Sequence, residues 1–502
     1  MLLSQILFGI SYDCSGDVNI DVADIVYDSR KAAPGTLFVA LCGAFSDGHD
    51  YAEGAYLRGA RAFLVQKDVL LPSDALVVKT DDTRAALAVI SGNFFGHPDR
   101  ELAVIGVTGT KGKTTVTHMM RSCLDGCGIK SGVIGTVGAY YGDKFIPTVN
   151  TTPESYETQK ILREMADAGC KVACMEVSSL GLKSHRVDGI RFHTAVFTNL
   201  SPDHIGGAEH DSFEEYAYWK KQLFHGCGRA LLNADDPFSQ EIVGELDCPY
   251  ETFSMGEEAD FSADDVQRLR GDNFFGVGFT CHTKDGSFAV KSAMPGLFSV
   301  YNALAAFGVC VNLGAKPEQA AAALATAKVR GRNECIEVPA DYDVIIDYAH
   351  NGQSFHSVID TFSEYEHNRI ITVFGSVGDR AQLRRREMGE VSGQKADLSV
   401  ITTDDPGFED PQAIAEEIAA AVEKAGGQYK IIVDREQAVA YALSVAKKGD
   451  IVLILGKGHE TYQKVCGEKV YYSDHDSVAR YFAKNSRSTA PCAVETDENN
   501  NP

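Results

Sequence analysis

Residues 104–120, VIGVTGTKGKTTVTHMM, decide the fold. An apolar run ends in a glycine-bearing turn, and after the turn Val116, Met119, Met120, Cys123 and Cys127 recur at helical spacing. Strand, glycine turn and helix start in that order bring backbone N–H groups and the positive end of a helix onto a phosphate. The spacing is shorter than in the standard phosphate-binding loop, where four residues separate the first glycine from the Gly-Lys pair. Counting back from Gly112-Lys113, that first position is Val107. What remains is Gly109-Thr110-Lys111-Gly112-Lys113-Thr114-Thr115, in which Lys113 can pair with the β- and γ-phosphates and the Thr114 hydroxyl can ligate Mg²⁺. The plainer alternative is a βα turn with no ligand.

Outward from this stretch, apolar runs alternate with helical segments from Glu101 to about Lys328: LAVIGV, KVACMEV, TAVFTNL and RALLN. The alternation restarts after KVRGRNE with YDVIIDYAH, RIITVFG, LSVITTDD, YKIIVD and DIVLILGKG. Such alternation is the signature of parallel sheets wound with helices. Residues 1–97 hold shorter runs, TLFVAL and AFLVQ, with a helical patch YAEGAYLRGA, and close on the break GHPDRE. The expected architecture is α/β in three domains, 1–97, 98–328 and 329–485, with 486–502 as a polar, acidic, disordered tail.

The bulk numbers narrow the function. A net charge of −23 argues against a nucleic-acid groove and against insertion into or adhesion to an anionic membrane. Any anionic ligand must be held by local Lys, Arg and helix N-termini. No run of about 18 apolar residues exists, and the start MLLSQILFGISYDCSGD has neither a basic n-region nor a small-residue cleavage site, so a cytoplasmic protein is expected. The 13 cysteines form no CxxC pair, which fits free thiols rather than zinc ligands.

Two further stretches follow apolar runs. KVACMEVSS places Glu176 at the carboxyl end of a strand, where α/β sheets build their sites and where a carboxylate suits Mg²⁺; alone it would be a helix-starting Glu. TNLSPDHIGGAEHDSFEEYAYWKKQLF carries Asp203, His204 and Lys220, although Mg²⁺ prefers oxygen to a histidine nitrogen.

Taken together, GTKGKTT, NTTPE, EVSSLGL, TNLSPDH, YAYWKKQLF, NALAA, VRGRNE, IDYAHN, VFGSVGDR and LGKGHE resemble the Mur ligases from about residue 27 to about residue 484. The N-terminal YDSRKAAPGTLFVALCGAFSDGHDYAEGA resembles the MurE group, which adds the third amino acid to the UDP-N-acetylmuramoyl dipeptide. The resemblance implies that the N-terminal domain binds the UDP-sugar, that the central domain is a P-loop-type ATPase, and that the C-terminal domain is Rossmann-like. It implies that the short loop holds ATP through Gly109, Thr110, Lys111, Gly112, Lys113, Thr114 and Thr115, with Asn302, Arg332, Asp347 and His350 beside the nucleotide. Thr114, Glu176, His204 and Lys220 become Mg²⁺ ligands. Lys220 does so as a carbamate formed with CO₂; the neighbouring Lys221 is the alternative register. Lys113, Lys220, His204 and Glu176 form the implied catalytic set. Ser29, Arg30, Thr151, Thr152, Ser178, Ser179 and Arg186 match positions that hold the UDP-sugar peptide, while Asp379 and Arg380 belong to a closing C-terminal domain.

The implied reaction is ATP-dependent ligation of an amino acid through an acyl phosphate, by a monomer. The added amino acid is read at TTDDPGFEDP. Family members that add meso-2,6-diaminopimelate carry DNPR, and Gly407 stands where that Arg would grip the distal carboxylate. Asp404, Asp405, Gly456 and Glu460 remain as amino-acid positions, Asp404 and Glu460 suiting a terminal ammonium. Arg385, or its neighbours Arg384 and Arg386, would hold the α-carboxylate. L-lysine is the favoured substrate on this reading, with L-ornithine beside it and meso-diaminopimelate as the alternative. GKGHE, common among diaminopimelate enzymes, pulls toward the latter, and DHIGGAEH departs from the usual DHLDYHG. Two competing readings are a folylpolyglutamate synthase, which the YDSRK block opposes, and a nucleotide-dependent switch without chemistry.

Overall fold

A computed structural model of the 502-residue chain describes every residue except 44–45, 203–205, 207–208, 257, 272–273, 380–381 and 489–502. The chain divides into two compact units, one comprising 1–267, 278–292 and 298–327 and the other 268–277, 293–297 and 328–502. The first unit therefore holds the N-terminal sheet and the central sheet apart from 268–277.

The N-terminal sheet has five strands in the order Asp13–Cys14, Leu76–Lys79, Ala62–Val65, Thr36–Val39 and Asp24–Val26, all parallel except the first. Its inner strands are short and mostly apolar because both faces are covered, by one cluster around Leu37, Leu64 and Ile90 and another around Phe38, Phe63 and Ala55.

The central sheet is built on Val172–Glu176, Ala103–Thr108, Phe192–Phe197, Ala230–Asn233 and Tyr250–Ser254, which pair parallel. Ala103–Thr108 lies between Val172–Glu176 and Phe192–Phe197, so the loop after residue 108 emerges in the middle of the sheet. Antiparallel strands Gly138–Tyr141 and Lys144–Ile146 extend one edge, and Phe261–Gly271, Phe274–Thr283 and Gly286–Ser292 extend the other.

The second unit carries a six-stranded sheet, Glu334–Ile336, Asp343–Asp347, Ile451–Leu455, Ile370–Phe374, Leu398–Ile401 and Tyr429–Ile431, parallel but for the first. Helices Gly352–Ser363, Gln382–Lys395, Pro411–Lys424 and Arg435–Val445 alternate with these strands, and one apolar cluster packs on each face. The fold is thus α/β, as the alternation predicts. The last helix, Asp474–Ser488, runs past the expected start of the tail at 486, and 489–502 lie outside the described residues.

That last helix is anchored by a buried ion pair. Arg435 Nε and Nη2 donate to the two Asp474 oxygens at 2.9 Å each, Nη2 also reaches Leu455 O at 2.9 Å, and Tyr472 OH donates to Asp474 Oδ1 at 2.8 Å. Both partners are at most 1% exposed, so removing one strands the other without water. Asp474→Ala is expected to cost about 3–5 kcal/mol of unfolding free energy, measured by denaturant titration, because an uncompensated guanidinium is left in the interior.

Candidate active site

The loop that the sequence singled out leaves the central strand at Thr108 and enters helix Lys113–Gly126. Gly109 has φ +146° and Gly112 φ +88°, conformations that side chains resist. Space demands glycine as well: a Cβ on Gly109 would lie 2.0 Å from Thr198 Oγ1, and one on Gly112 2.5 Å from Asn302 Oδ1. Asn302, on helix Phe298–Asn312, is therefore packed directly against the loop. The loop is held from below by Thr198 Oγ1 donating to Lys111 O at 2.7 Å and by Lys111 N donating to Asn199 Oδ1 at 2.9 Å. Lys113 folds back so that Nζ donates to Gly109 O at 2.7 Å and Thr110 O at 3.0 Å. Thr115 is the third residue of the helix's N-terminal Lys-Thr-Thr.

Glu176 is almost wholly buried at the end of its strand, and both its oxygens are used. Oε2 accepts from Thr114 Oγ1 at 2.8 Å and from Thr136 Oγ1 at 3.2 Å, while Oε1 accepts from Thr136 N at 2.8 Å. Gly135 makes room for this carboxylate, since a Cβ there would sit 2.0 Å from Oε1. Thr114, Thr136 and Glu176 thus present an all-oxygen donor set, which fits the hard cation Mg²⁺.

The same carboxylate leads to NTTPE. Thr136 Oγ1 lies 3.0 Å from Thr151 Oγ1. Thr152 Oγ1 donates to Glu176 O at 3.0 Å, lies 3.1 Å from Ser178 Oγ, and accepts from Ser178 N at 2.9 Å. Ser178 caps the short helix Ser179–Lys183 through Gly181 N, and Ser179 Oγ meets His210 Nε2 at 2.9 Å. Arg186 bonds to Glu154 and, at 3.2 Å, to Thr152 O; Glu154 is gripped from the other side by Arg84 at 3.2 Å.

Lys220, on helix Phe213–Lys221, is 1% exposed; Nζ donates to Gly109 O at 2.8 Å and lies 4.3 Å from the Tyr216 ring centre. Tyr216 OH donates to Thr110 Oγ1 at 3.2 Å. Lys221 instead points to Glu245 at 2.6 Å. Asp203 and His204 lie outside the described residues, as does Arg380. In the N-terminal sheet region, Ser29–Lys31 forms a single 3₁₀ turn whose Arg30 guanidinium lies on Asp28, holding that carboxyl down to about 2.

The second unit carries the remaining predicted residues. Asp347 is buried and accepts from Asn333 N and Ala349 N at 2.7 Å each; burial pushes its pKa up. Arg332 stacks 5.0 Å from the Tyr348 ring centre. His350 is held by Tyr348 O at 2.9 Å and burial pushes its pKa down, favouring the neutral ring. Two expectations change. Asp404 and Glu460 do not form an open seat for a substrate ammonium, because the chain's own Lys457 lies among Asp404 at 3.5 Å, Asp405 at 2.8 Å and Glu460 at 2.6 Å. Three carboxylates against one ammonium still leave the cluster electronegative, and burial with the neighbouring Asp404 and Asp405 raises the Glu460 pKa. Gly456 (φ +109°) closes this cluster, a Cβ there lying 2.7 Å from Asp404 Oδ2. Arg385 is likewise not open to a substrate carboxylate: it is 1% exposed, and its Nη atoms are taken by Glu409 and Glu417 at 2.8–2.9 Å. Of its alternatives, Arg384 and Arg386 are exposed, and Arg386 pairs with Glu390 at 2.8 Å.

Residues 107–310 match the Mur ligase middle domain, 331–458 the Mur ligase glutamate ligase domain and 21–95 the catalytic domain of the Mur ligase family. A UDP-N-acetylmuramoyl-L-alanyl-D-glutamate–2,6-diaminopimelate ligase of Caldanaerobacter subterraneus subsp. tengcongensis is 40% identical over 481 residues, covering 96% of this chain and 98% of that protein. The chain belongs to the Mur ligase family. As a Mur ligase it is an ATP-dependent ligase of peptidoglycan synthesis, and Mur ligases use Mg²⁺. A ligase of the same name from Clostridioides difficile is 38% identical over 490 residues, covering 96% of this chain and all of that protein. A solved 2,6-diaminopimelate ligase structure superposes with a TM-score of 0.68 at 26% identity over 97% of this chain and 99% of that one. A folylpolyglutamate synthase of Mycobacterium tuberculosis shares the fold at a TM-score of 0.60 and 17% identity, but over only 81% of this chain and 96% of that one.

The sequence reading missed Thr136, Lys457 and Glu154. Thr136 sits in an unremarked GTVGAYY, and Lys457 was in view within GKGHE but read past for the glutamate.

Proposed function

We propose that this Mur ligase joins meso-2,6-diaminopimelate to the D-Glu γ-carboxylate of UDP-N-acetylmuramoyl-L-Ala-D-Glu. The observation that carries the reaction is the shared carboxylate. Glu176 grips Thr114 at the head of the phosphate loop and, through Thr136, reaches Thr151 of the NTTPE turn, so the phosphoryl donor and the peptide acceptor are served from one point.

In this reading the γ-carboxylate oxygen attacks the γ-phosphorus, the bond to the departing ADP oxygen breaks, and an acyl phosphate forms. The diamino acid's amine then attacks the acyl carbon; the C–N bond forms, the C–O bond to phosphate breaks, and the amine loses its proton. Lys113 neutralises the phosphates, and the amides of 109–115 orient them. Thr114, Glu176 and the proposed ligands His204 and carbamylated Lys220 would hold Mg²⁺, which would supply further neutralisation of charge. Thr151, Thr152, Ser178, Ser179 and Arg186 orient the UDP-sugar peptide, with Ser29 and Arg30 at the uridine. Asp404, Asp405, Gly456, Glu460 and Lys457 face the diamino acid, and Asn302, Arg332, Asp347 and His350 the nucleotide. The enzyme acts as a cytoplasmic monomer with domains 1–97, 98–328 and 329–485; among the described residues no helix is long and apolar enough to cross a membrane.

For the amino acid, relatives matched along nearly the whole chain are diaminopimelate ligases, which outweighs the lysine reading taken from one position. That position still favours L-lysine as the second reading. Gly407 has φ +61°, and a Cβ there would lie 2.1 Å from Asp379 Oδ2, so the turn as folded has no place for the forked donor that a distal carboxylate wants. Phosphate release with one amino acid at a time decides. Diaminopimelate should exceed L-lysine by at least about tenfold in kcat/KM, equivalent to about 1.4 kcal/mol. The reverse order would hand the reaction to L-lysine.

A further inference from the structure

The strands that deliver Thr108 and Phe197 to the phosphate loop start, at their opposite ends, on the wall of a separate cavity of about 700 Å³. That volume lies in the range of sites for metabolite-sized ligands. Its wall includes Asp99, Arg100, Arg191, His193, Arg229 and Asn312, all in the first unit. The six residues of Ala103–Thr108 separate the cavity from the loop by about 20 Å at ~3.3 Å per residue. It is therefore a place apart from the ligase site.

The charges on this wall are unusual for a chain of net charge −23. Arg229 is shared with Glu251 at 3.2 Å, and Glu251 also accepts from Asn312. Glu101 is taken by Arg163, through bonds of 2.6 and 3.0 Å. The guanidinium groups of Arg100 and Arg191 have no ion-pair or hydrogen-bond partner among the described residues, and both residues are exposed on the cavity side of the sheet. Two unpaired guanidinium groups therefore line one hollow, which His193 lines as well. A second observation is independent of charge. Asp99 is 5% exposed; its Oδ2 accepts from Arg191 N at 3.2 Å, while its Oδ1 is buried with no hydrogen-bond partner. A buried carboxylate oxygen left unsatisfied costs about 1–3 kcal/mol, while Oδ2 of the same carboxylate fixes the backbone of Arg191 at the cavity wall.

We infer that this cavity is a second anion site, built for a small organic phosphate. Its phosphoryl oxygens lie against Arg100 and Arg191, which match such oxygens in pairs. The site rests on its own residues and does not depend on which diamino acid the ligase adds.

Equilibrium dialysis with labelled inorganic pyrophosphate tests it on the full-length protein. Wild type should show two sites. Lys113→Ala should lose the one at the phosphate loop and keep the other. Arg100→Gln/Arg191→Gln should weaken the second site at least tenfold while leaving ligase turnover and the melting temperature unchanged. Arg100→Lys/Arg191→Lys, which keeps the charge, should lie between. The inference is overturned if Lys113→Ala abolishes all pyrophosphate binding, or if the double Gln variant binds as wild type does in a Lys113→Ala background.

Discussion

Glu176→Ala should yield a folded protein whose ATP-dependent phosphate release is reduced about a hundred- to a thousandfold, the range seen when one preorganised electrostatic group is deleted. Three contacts disappear at once: those to Thr114 Oγ1, Thr136 Oγ1 and Thr136 N. The first fixes the rotamer of the residue that follows Lys113. The other two hold the turn that touches Thr151. If the carboxylate only capped a loop, removing it would lower stability and spare kcat. If it links the two substrates, kcat falls even under saturating ATP and peptide, where weaker binding is compensated. Glu176→Gln sharpens the comparison, since the amide keeps the shape and one acceptor but loses the charge that a cation requires. It should therefore resemble the alanine variant in turnover and wild type in melting temperature. A turnover loss below about threefold in both variants would remove Glu176 from the reaction.

Lys220→Ala carries the second large effect. The Lys220 side chain is almost completely enclosed, and its ammonium donates to Gly109 O, so it braces the first glycine of the phosphate loop. Deleting it leaves that carbonyl without this donor and opens space beside Tyr216, and turnover should fall at least about a hundredfold through misplacement of the loop alone. Carbamylation adds a distinguishable expectation. It would place an anion where the ammonium now meets Gly109 O, an arrangement favoured only when a cation arrives to share it. Wild-type turnover should then fall severalfold in CO₂-depleted buffer and recover with bicarbonate, and intact-mass measurement in bicarbonate should show one added CO₂ that Lys220→Ala lacks. Turnover indifferent to bicarbonate would leave Lys220 as a brace and nothing more.

Much of this was legible in the letters because parallel strands buried on both faces must be continuous apolar runs. KVACMEV, YDVIIDYAH and DIVLILGKG each contain a strand, and LAVIGV contains all of one but its last residue, Thr108. The strands that extend the central sheet at its edges were not legible. Phe261–Gly271, two strands in from the edge, reads FSADDVQRLRG with its charged side chains exposed, so no apolar run marks it. The phosphate loop was legible because glycine is required there by both backbone angle and space. Partnerships between distant polar residues were less so. Nothing local to TTDDPG or GKGHE says that Lys457 pairs with Asp404 and Asp405, or that Arg385 spends its guanidinium on Glu409 and Glu417. Such pairings form across long separations, and only the folded chain selects among the many acids available.

The central claim is that the short loop delivers the γ-phosphoryl group of ATP onto the carboxylate of the dipeptide. UDP-N-acetylmuramoyl dipeptide labelled with ¹⁸O in the D-Glu γ-carboxylate, turned over with ATP and diamino acid, tests it directly by mass analysis of the released phosphate. An acyl-phosphate route leaves one labelled oxygen in that phosphate, because the carboxylate oxygen that attacks phosphorus departs with it. Phosphate free of label, with one labelled oxygen on the new amide and the other released in water or on the nucleotide, would contradict the account.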